Sequence, residues 1–525
     1  MAAHHSTAPP PGAPDGNAND DLRGAANQAC EIAASSTQQT GISCKKPSRH
    51  CSGATMCVRG VAAALVVGLA AGMARPAAST AKKGLRSREN MHDARFDERA
   101  EAVRDSTIWY RLRGGVRNGV IAKNTEIGWG LVAERDVAAG ETVLTTPREF
   151  CVTGAEAPEY LAATRGVEGA ALVSASAAVA ATLLEREGDG FWEPYLGGLP
   201  TAKDLADLPA LWPDGEAEAL LAGTQTGRSR AELLATWQDD LAAINARRAL
   251  FDPAMPPIGW PQWRYYETLV MTRGYNLDPV GYVVLPYIDF VNHADDPSVA
   301  LRVDAAAAPP QGAVDSVSLV AKRDIPKGEQ IFSSYSGGDP IDALVSLQAF
   351  GWLALGDGDA PLVQSCRVDF AQALRRDDPL ADVKFSLLDV ADGGGRALLT
   401  NVGDADVDAR MNARALHHAL VACRLVAMDD DELLAQVDND APEASAWATG
   451  AVVSDDNEAA ARQAGSALVR RLIAATDHEF ETRTNAGLLA SETDEGARRA
   501  TLARATAESE RAALCTLLDL LEGRA

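Results

Sequence analysis

Pro286-Tyr287-Ile288-Asp289-Phe290-Val291-Asn292-His293 and, further on, Gly328-Glu329-Gln330-Ile331-Phe332-Ser333-Ser334-Tyr335 decide how this chain is read. An Asn-His pair closes an apolar run, and an isolated Tyr closes a strand-like segment. Each buried polar group must find a partner, so a plain core gains nothing from Asn-His at that place. A pocket formed where apolar runs end does.

Residues 119–146 read as short strands joined by turns. Gly119-Val120-Ile121-Ala122 is brief and apolar, and Gly128-Trp129-Gly130 turns into Leu131-Val132-Ala133. The phrase Arg135-Asp136-Val137-Ala138-Ala139-Gly140-Glu141 returns as Arg323-Asp324-Ile325-Pro326-Lys327-Gly328-Glu329. Each copy sets a polar Gly turn before a strand, which points to a fold of small sheets. The copies lie too far apart for a solenoid repeat. Between them, about residues 155–275 are helical in pattern. Ala170–Glu187 is rich in Ala and Leu, Leu220–Leu250 has helical spacing, and Trp192-Glu193-Pro194-Tyr195-Leu196 reads as a core segment. Trp263, Tyr266, Leu269, Val270 and Arg273 share one stripe. From about residue 410 the chain is charged and helical, and Leu514, Leu517, Leu518 and Leu521 mark one buried face. The glycines of residues 392–396 read as a flexible loop, with no helix behind them to cradle phosphate.

In this order the segments resemble the SET-domain methyltransferases of the Rubisco large-subunit lysine methyltransferase class, which also includes the actin histidine methyltransferase. The resemblance rests on Gly128-Trp129-Gly130, the Arg-Asp hairpin, the Trp192 to Pro200 phrase, Arg273, Asp289-x-x-Asn292-His293 and the Gly328-Glu329-Gln330 strand with Tyr335. It implies an α+β fold: a SET domain of small β-sheets over 115–352, split by the helical insertion, then an all-α substrate-binding domain over 360–525. The implied cofactor is S-adenosylmethionine. Ile127, Gly128 and Trp129 would cradle it through main chain, where glycine permits close approach. Arg273 would meet its carboxylate with a planar fork, and Asn292 and His293 would hold it. Tyr335 would be the catalytic residue at the transfer channel, with Asp289 and Phe350 also lining the acceptor side. No metal is implied.

Each residue also has a purely structural alternative. His293 can be a satisfied core histidine and Tyr335 a strand-end core aromatic. Arg273 can cap its helix, Asp289 can be an N-cap, and Gly128 and Gly130 can form a plain hairpin turn. The sequence departs from the class pattern at Phe350-Gly351-Trp352, where relatives often carry Tyr-Gly-Phe. The channel wall loses a hydroxyl there. The expected activity is protein lysine N-methylation of a non-histone protein, with Rubisco large subunit or aldolase as candidates. A histidine acceptor and a non-catalytic binding module are the rivals.

Composition sets further bounds. The chain has 525 residues, 46% of them hydrophobic, with a net charge of −24, and a globular body is expected. Residues 1–88 carry +6, and the rest carries −30. So acidic a body repels a phosphate backbone, and no nucleic acid partner is expected. No CxxC pair occurs, which argues against a structural zinc site or a disulfide framework. Residues 1–88 read as a targeting leader, basic and free of acid from residue 32 onward, with an uncharged run at 60–74 between Arg59 and Arg75. That run suits a signal core better than a membrane span. A plastid location is the resulting expectation, a cytoplasmic one the alternative. No stable membrane span is expected in the mature protein, which is expected as a monomer.

Overall fold

The computed structural model describes residues 95–163, 172–278, 280–305, 314–336, 341, 343–353, 364–374, 378–390, 396–401, 405–437, 450–485 and 493–524. Helix α1 (Arg95–Leu112) leads into β1 (Val116–Arg117), β2 (Val120–Thr125), β3 (Gly128–Ala133), β4 (Thr142–Pro147) and β5 (Val152–Thr153). The α-helices described next are α2 (Glu159–Ala163), α3 (Ala175–Leu184), α4 (Glu193–Gly198), α5 (Asp214–Leu221), α6 (Gln225–Phe251) and α7 (Trp260–Arg273). Strands then resume as β6 (Gly274–Leu277), β7 (Gly281–Val284), β8 (Asn292–His293), β9 (Val299–Ala305), β10 (Val314–Ala321) and β11 (Gln330–Ser333), ahead of α8 (Ala343–Phe350). The C-terminal part holds β12 (Gln364–Asp369), α9 (Ala381–Val390), β13 (Arg396–Asn401), α10 (Ala405–Ala427), α11 (Asp430–Val437), α12 (Asp455–Asn485) and α13 (Asp494–Leu521). The leader, the loop glycines Gly393, Gly394 and Gly395, and residues 306–310 lie outside the described residues.

Among the described residues the strands form sheets ordered β1-β4-β10-β9, β2-β3-β11-β8, β5-β7-β6 and β12-β13. The repeated Arg-Asp phrases explain how the first two lock together. Val137 and Ile325 exchange main-chain hydrogen bonds of 2.9 and 2.8 Å. Asp324 accepts from the Ala139 amide and Asp136 from the Lys327 amide, each at 2.8 Å. Within each copy, the Arg reaches the Glu six residues on. The two hairpins therefore clasp each other reciprocally.

The insertion is helical for local reasons. Ser174 caps α3 by accepting from the Ala177 amide, and Thr224 caps α6 by accepting from Gly227. The stripe read from the sequence packs inward: Trp263, Tyr266, Leu269 and Val270 are buried. Helix α1 carries no sequence signal that assigns it to the body, yet it buries Val103, Trp109 and Tyr110 in the main core. Its apolar residues are too few to stand out by period.

The C-terminal part has its own core, including Leu420, Leu425, Leu468, Leu514, Leu517 and Leu521. The expectation of a wholly helical domain needs correction. Strands β12 and β13 pair antiparallel from Gln364↔Asn401 to Asp369↔Arg396, so one ribbon accompanies the helices. Strands this short, set between helical patterns, carry too few alternations to be seen. The part also docks firmly on the insertion. Trp212, Leu220 and Leu221 pack with Ala500 and Ala503. Arg499 forks onto Glu216 at 2.9 and 2.8 Å. Buried Glu510 accepts from the Gln225 amide at 2.6 Å and the Thr226 amide at 2.9 Å, at the positive end of α6.

Candidate active site

Strand β11 runs parallel to β8, with Phe332 opposite Asn292 and Ser333 opposite His293. It also runs antiparallel to β3. This pairing brings the Asn-His segment, the Gly128 strand and the approach to Tyr335 into one sheet. The Asn292 amide donates to the Trp129 carbonyl at 3.2 Å. The Tyr335 main-chain amide donates to His293 Nδ1 at 3.1 Å, while Nε2 meets Asp295 at 3.3 Å. With Nδ1 accepting, the Nε2 nitrogen carries the proton of the neutral ring. His293 lies between two rings, Tyr335 at 5.3 Å and Trp352 stacked at 6.0 Å. Its side chain thus orders the Tyr335 turn.

The Tyr335 hydroxyl donates to the Val291 carbonyl at 2.7 Å, and its ring packs on Phe350 at 4.8 Å. Burial pushes its phenol up to about 12, with Arg273 opposing and Asp289 assisting. Tyr335 therefore stays a neutral hydroxyl. Phe350 lies beside it and brings no hydroxyl.

Arg273 ends α7 and turns inward. Its Nη1 donates to the Asp289 carbonyl at 2.7 Å and lies 3.3 Å from the Asp289 carboxylate. Tyr195 donates to the same carboxylate oxygen at 2.9 Å. The Asp289 side chain has no exposed surface. Burial raises its pKa, against the pull of Arg273 and Tyr195. Asp289 is thus an interior partner of Arg273, and its main chain lies within a short 3₁₀ turn. Two buried atoms of this cluster, Arg273 Nε and Asp289 Oδ1, have no hydrogen-bond partner.

Around the Gly128 turn the surface opens. Ile127 is exposed, and Gly128 has a φ of 101° with free space where a side chain would stand. At Gly130, by contrast, a Cβ would lie 2.5 Å from Gln330 Nε2 and 2.7 Å from Asn292 Nδ2. Glycine suits the two places for different reasons: backbone conformation at the first, and at the second room for the amide ends of Gln330 and Asn292, which a Cβ would displace. Trp129 packs partly into the core.

The sequence reading misses three tyrosines that the structure brings here. Tyr195 lies in a segment read only as core. Tyr275, two residues beyond Arg273, has Tyr335, Asp289 and Arg273 as its electrostatic neighbours. Tyr287 sits inside the opening stretch itself. An aromatic residue among apolar neighbours gives no sign of where its hydroxyl points.

Residues 128–336 match the SET domain family model. The chain therefore carries a SET domain. Its fold is similar to the SET domain of LSMT solved with lysine and AdoHcy, at TM-score 0.58 and 18% identity, over 81% of this chain and 92% of that one. It is also similar to Rubisco LSMT bound to AdoMet, at TM-score 0.56 and 16% identity, with the same coverages. No curated protein sequence matches the chain.

Proposed function

We propose that the protein is an S-adenosylmethionine-dependent protein N-methyltransferase that acts on a lysine side chain. The observation that carries this reading is the joining of Asn292, His293 and Tyr335 to the Gly128 turn by one sheet, next to an arginine with an unpaired buried nitrogen. These residues fit the cofactor. The open main chain at Ile127–Trp129 admits a ligand's close approach, and Arg273 Nε is a donor awaiting a planar acceptor such as a carboxylate. Of the two similar structures named above, one was solved with lysine and AdoHcy and the other with AdoMet.

When bound, the cofactor supplies a methyl group on a sulfonium. The chain's own residues then align and exclude water. A lysine amine near pKa 10.4 must arrive neutral, and an apolar wall such as Phe350 disfavours its ammonium form. The neutral Tyr335 hydroxyl and the Val291 carbonyl it touches orient polar atoms at the channel end. The helical part from residue 360 is proposed to hold the protein substrate. The acid-poor leader supports a plastid location, and with it Rubisco large subunit or aldolase as candidate substrates. The cytoplasm remains the alternative.

Calorimetry with S-adenosylmethionine tests the reading first, and well-folded protein that binds none would remove it. Labelled methyl transfer into a plastid extract, with mass spectrometry of the product, then names the acceptor. Label on histidine would replace the lysine reading, and binding without transfer would favour a non-catalytic module.

A further inference from the structure

Tyr287 is the one non-glycine among the described residues with positive φ, at φ 71° and ψ −35°. For a bulky L-residue such a backbone costs on the order of 1–3 kcal/mol and persists only where the surroundings enforce it. The surroundings here are specific. The Tyr287 side chain is fully buried. Its hydroxyl accepts from the Ala122 amide of β2 at 3.2 Å and shares a 3.2 Å hydrogen bond with the Thr107 hydroxyl of α1. Its ring stacks on Tyr110 of α1, with centroids 4.8 Å apart and planes 15° apart. One residue upstream, the Pro286 carbonyl accepts from Thr146, whose hydroxyl lies 3.1 Å from that of Tyr110.

The turn just beyond Tyr287 aims the site. The Asp289 amide bonds to the Leu285 carbonyl at 3.0 Å, and the Val291 amide to the Ile288 carbonyl at 2.9 Å. The turn's outward carbonyls hold the two functional side chains. Asp289 O receives Arg273 and Val291 O receives Tyr335, each at 2.7 Å. Were Tyr287 to relax to negative φ, the direction of the chain through Asp289 and Val291 would change, and both anchors would move.

We infer that Tyr287 is a positioning residue, clamped by Thr107 and Tyr110 of α1, which fixes the 288–291 turn and through it Arg273 and Tyr335. Helix α1 lies outside the segment matched by the SET model, yet by this inference it belongs to the site's working parts. The role in catalysis rests on the methyltransferase reading, whereas the clamp itself does not.

The experiment compares Tyr287→Phe, Thr107→Val and Thr107→Ser with Leu425→Ala, a destabilising control in the C-terminal core. Hydrogen exchange of the free protein is read at the amides of Asp289 and Val291, and S-adenosylmethionine affinity by calorimetry. Tyr287→Phe and Thr107→Val are expected to speed exchange at those amides about tenfold relative to other core amides. They are expected to weaken cofactor binding about fivefold or more, as a misplaced anchor does. Thr107→Ser, which keeps the hydroxyl, restores both, and the control changes neither selectively. Unchanged exchange at these amides, or an equal rise in the control, overturns the clamp. Faster exchange with unaltered affinity in a binding-competent wild type overturns the positioning role. A wild type that binds no cofactor defeats the methyltransferase reading instead, and the exchange data still decide the clamp.

Discussion

The side-chain amide of Asn292 donates to the main-chain carbonyl of Trp129, 163 residues earlier, at 3.2 Å. This bond closes the two halves of the candidate site across the helical insertion. Asn292→Ala removes the only side-chain bond seen at that carbonyl among the described residues. The expected cost is about 1 kcal/mol of stability and a larger, roughly tenfold loss of S-adenosylmethionine affinity, since preorganisation is lost at the ligand. Thermal melting and calorimetry on the same preparation separate the two. Equal losses in both would assign Asn292 a structural role alone.

Tyr335→Phe leaves the ring against Phe350 and His293 but deletes the bond to the Val291 carbonyl. Stability is expected to fall by about 0.5–1.5 kcal/mol, while methyl transfer falls on the order of 10²-fold through lost alignment. Because burial pushes this phenol up to about 12, the wild-type rate is expected to show no loss from Tyr335 ionisation below about pH 10. A stopped assay across the pH range, with folding monitored in parallel, checks both statements. Wild-type rates in the variant would remove Tyr335 from the transfer step.

Asp289→Asn leaves the Arg273 guanidinium facing a neutral amide in a buried cluster. Breaking such a pair is expected to cost about 3 kcal/mol or more. Tyr195→Phe removes one donor to the same carboxylate and is expected to cost less, about 1–2 kcal/mol. Urea denaturation of the two single variants and the double variant measures the coupling. Strict additivity would mean that Tyr195 does not act through Asp289.

Glu267 ties the stability of the fold to pH. It is fully buried, and burial, reinforced by Asp240, raises its pKa well above the ordinary 4.5, with Ser176 opposing. Tyr282 is a further ionisable neighbour. A raised folded-state value means that the folded protein keeps a proton which the unfolded chain releases. Stability from this group is full below the unfolded value and falls as pH rises toward the folded one, by up to about 1.4 kcal/mol per pH unit. Glu267→Gln is expected to flatten that part of the stability–pH curve. Denaturation midpoints over the neutral range decide it, and parallel curves for the two proteins would refute the assignment.

Much of this site is legible in the sequence because its chemistry breaks the apolar pattern. Asn292, His293 and Arg273 stand out at the ends of runs, and Gly128 and Gly130 mark a turn. The structure adds what pattern reading does not carry. Asp289 reads as a cleft residue, and one oxygen of its buried carboxylate meets Arg273 and Tyr195, because a buried guanidinium demands a counter-charge. Tyr287 looks like an ordinary core aromatic, since positive φ leaves no mark in residue type unless glycine or asparagine supplies it. The repeated Arg-Asp phrases are visible as two hairpins, whereas their mutual clasp depends on a long-range meeting that no local pattern encodes.

That clasp has a temporal side. Ala139 and Asp324 are 185 residues apart, so the first hairpin has no partner until the second has been made. At about 5–20 residues per second, a ribosome leaves it waiting roughly ten to forty seconds. Contacts of such separation close slowly in any case. Meanwhile the helices between them can form from local contacts and hold the strands near each other. The insertion thus doubles as a built-in tether for its own host sheet during synthesis.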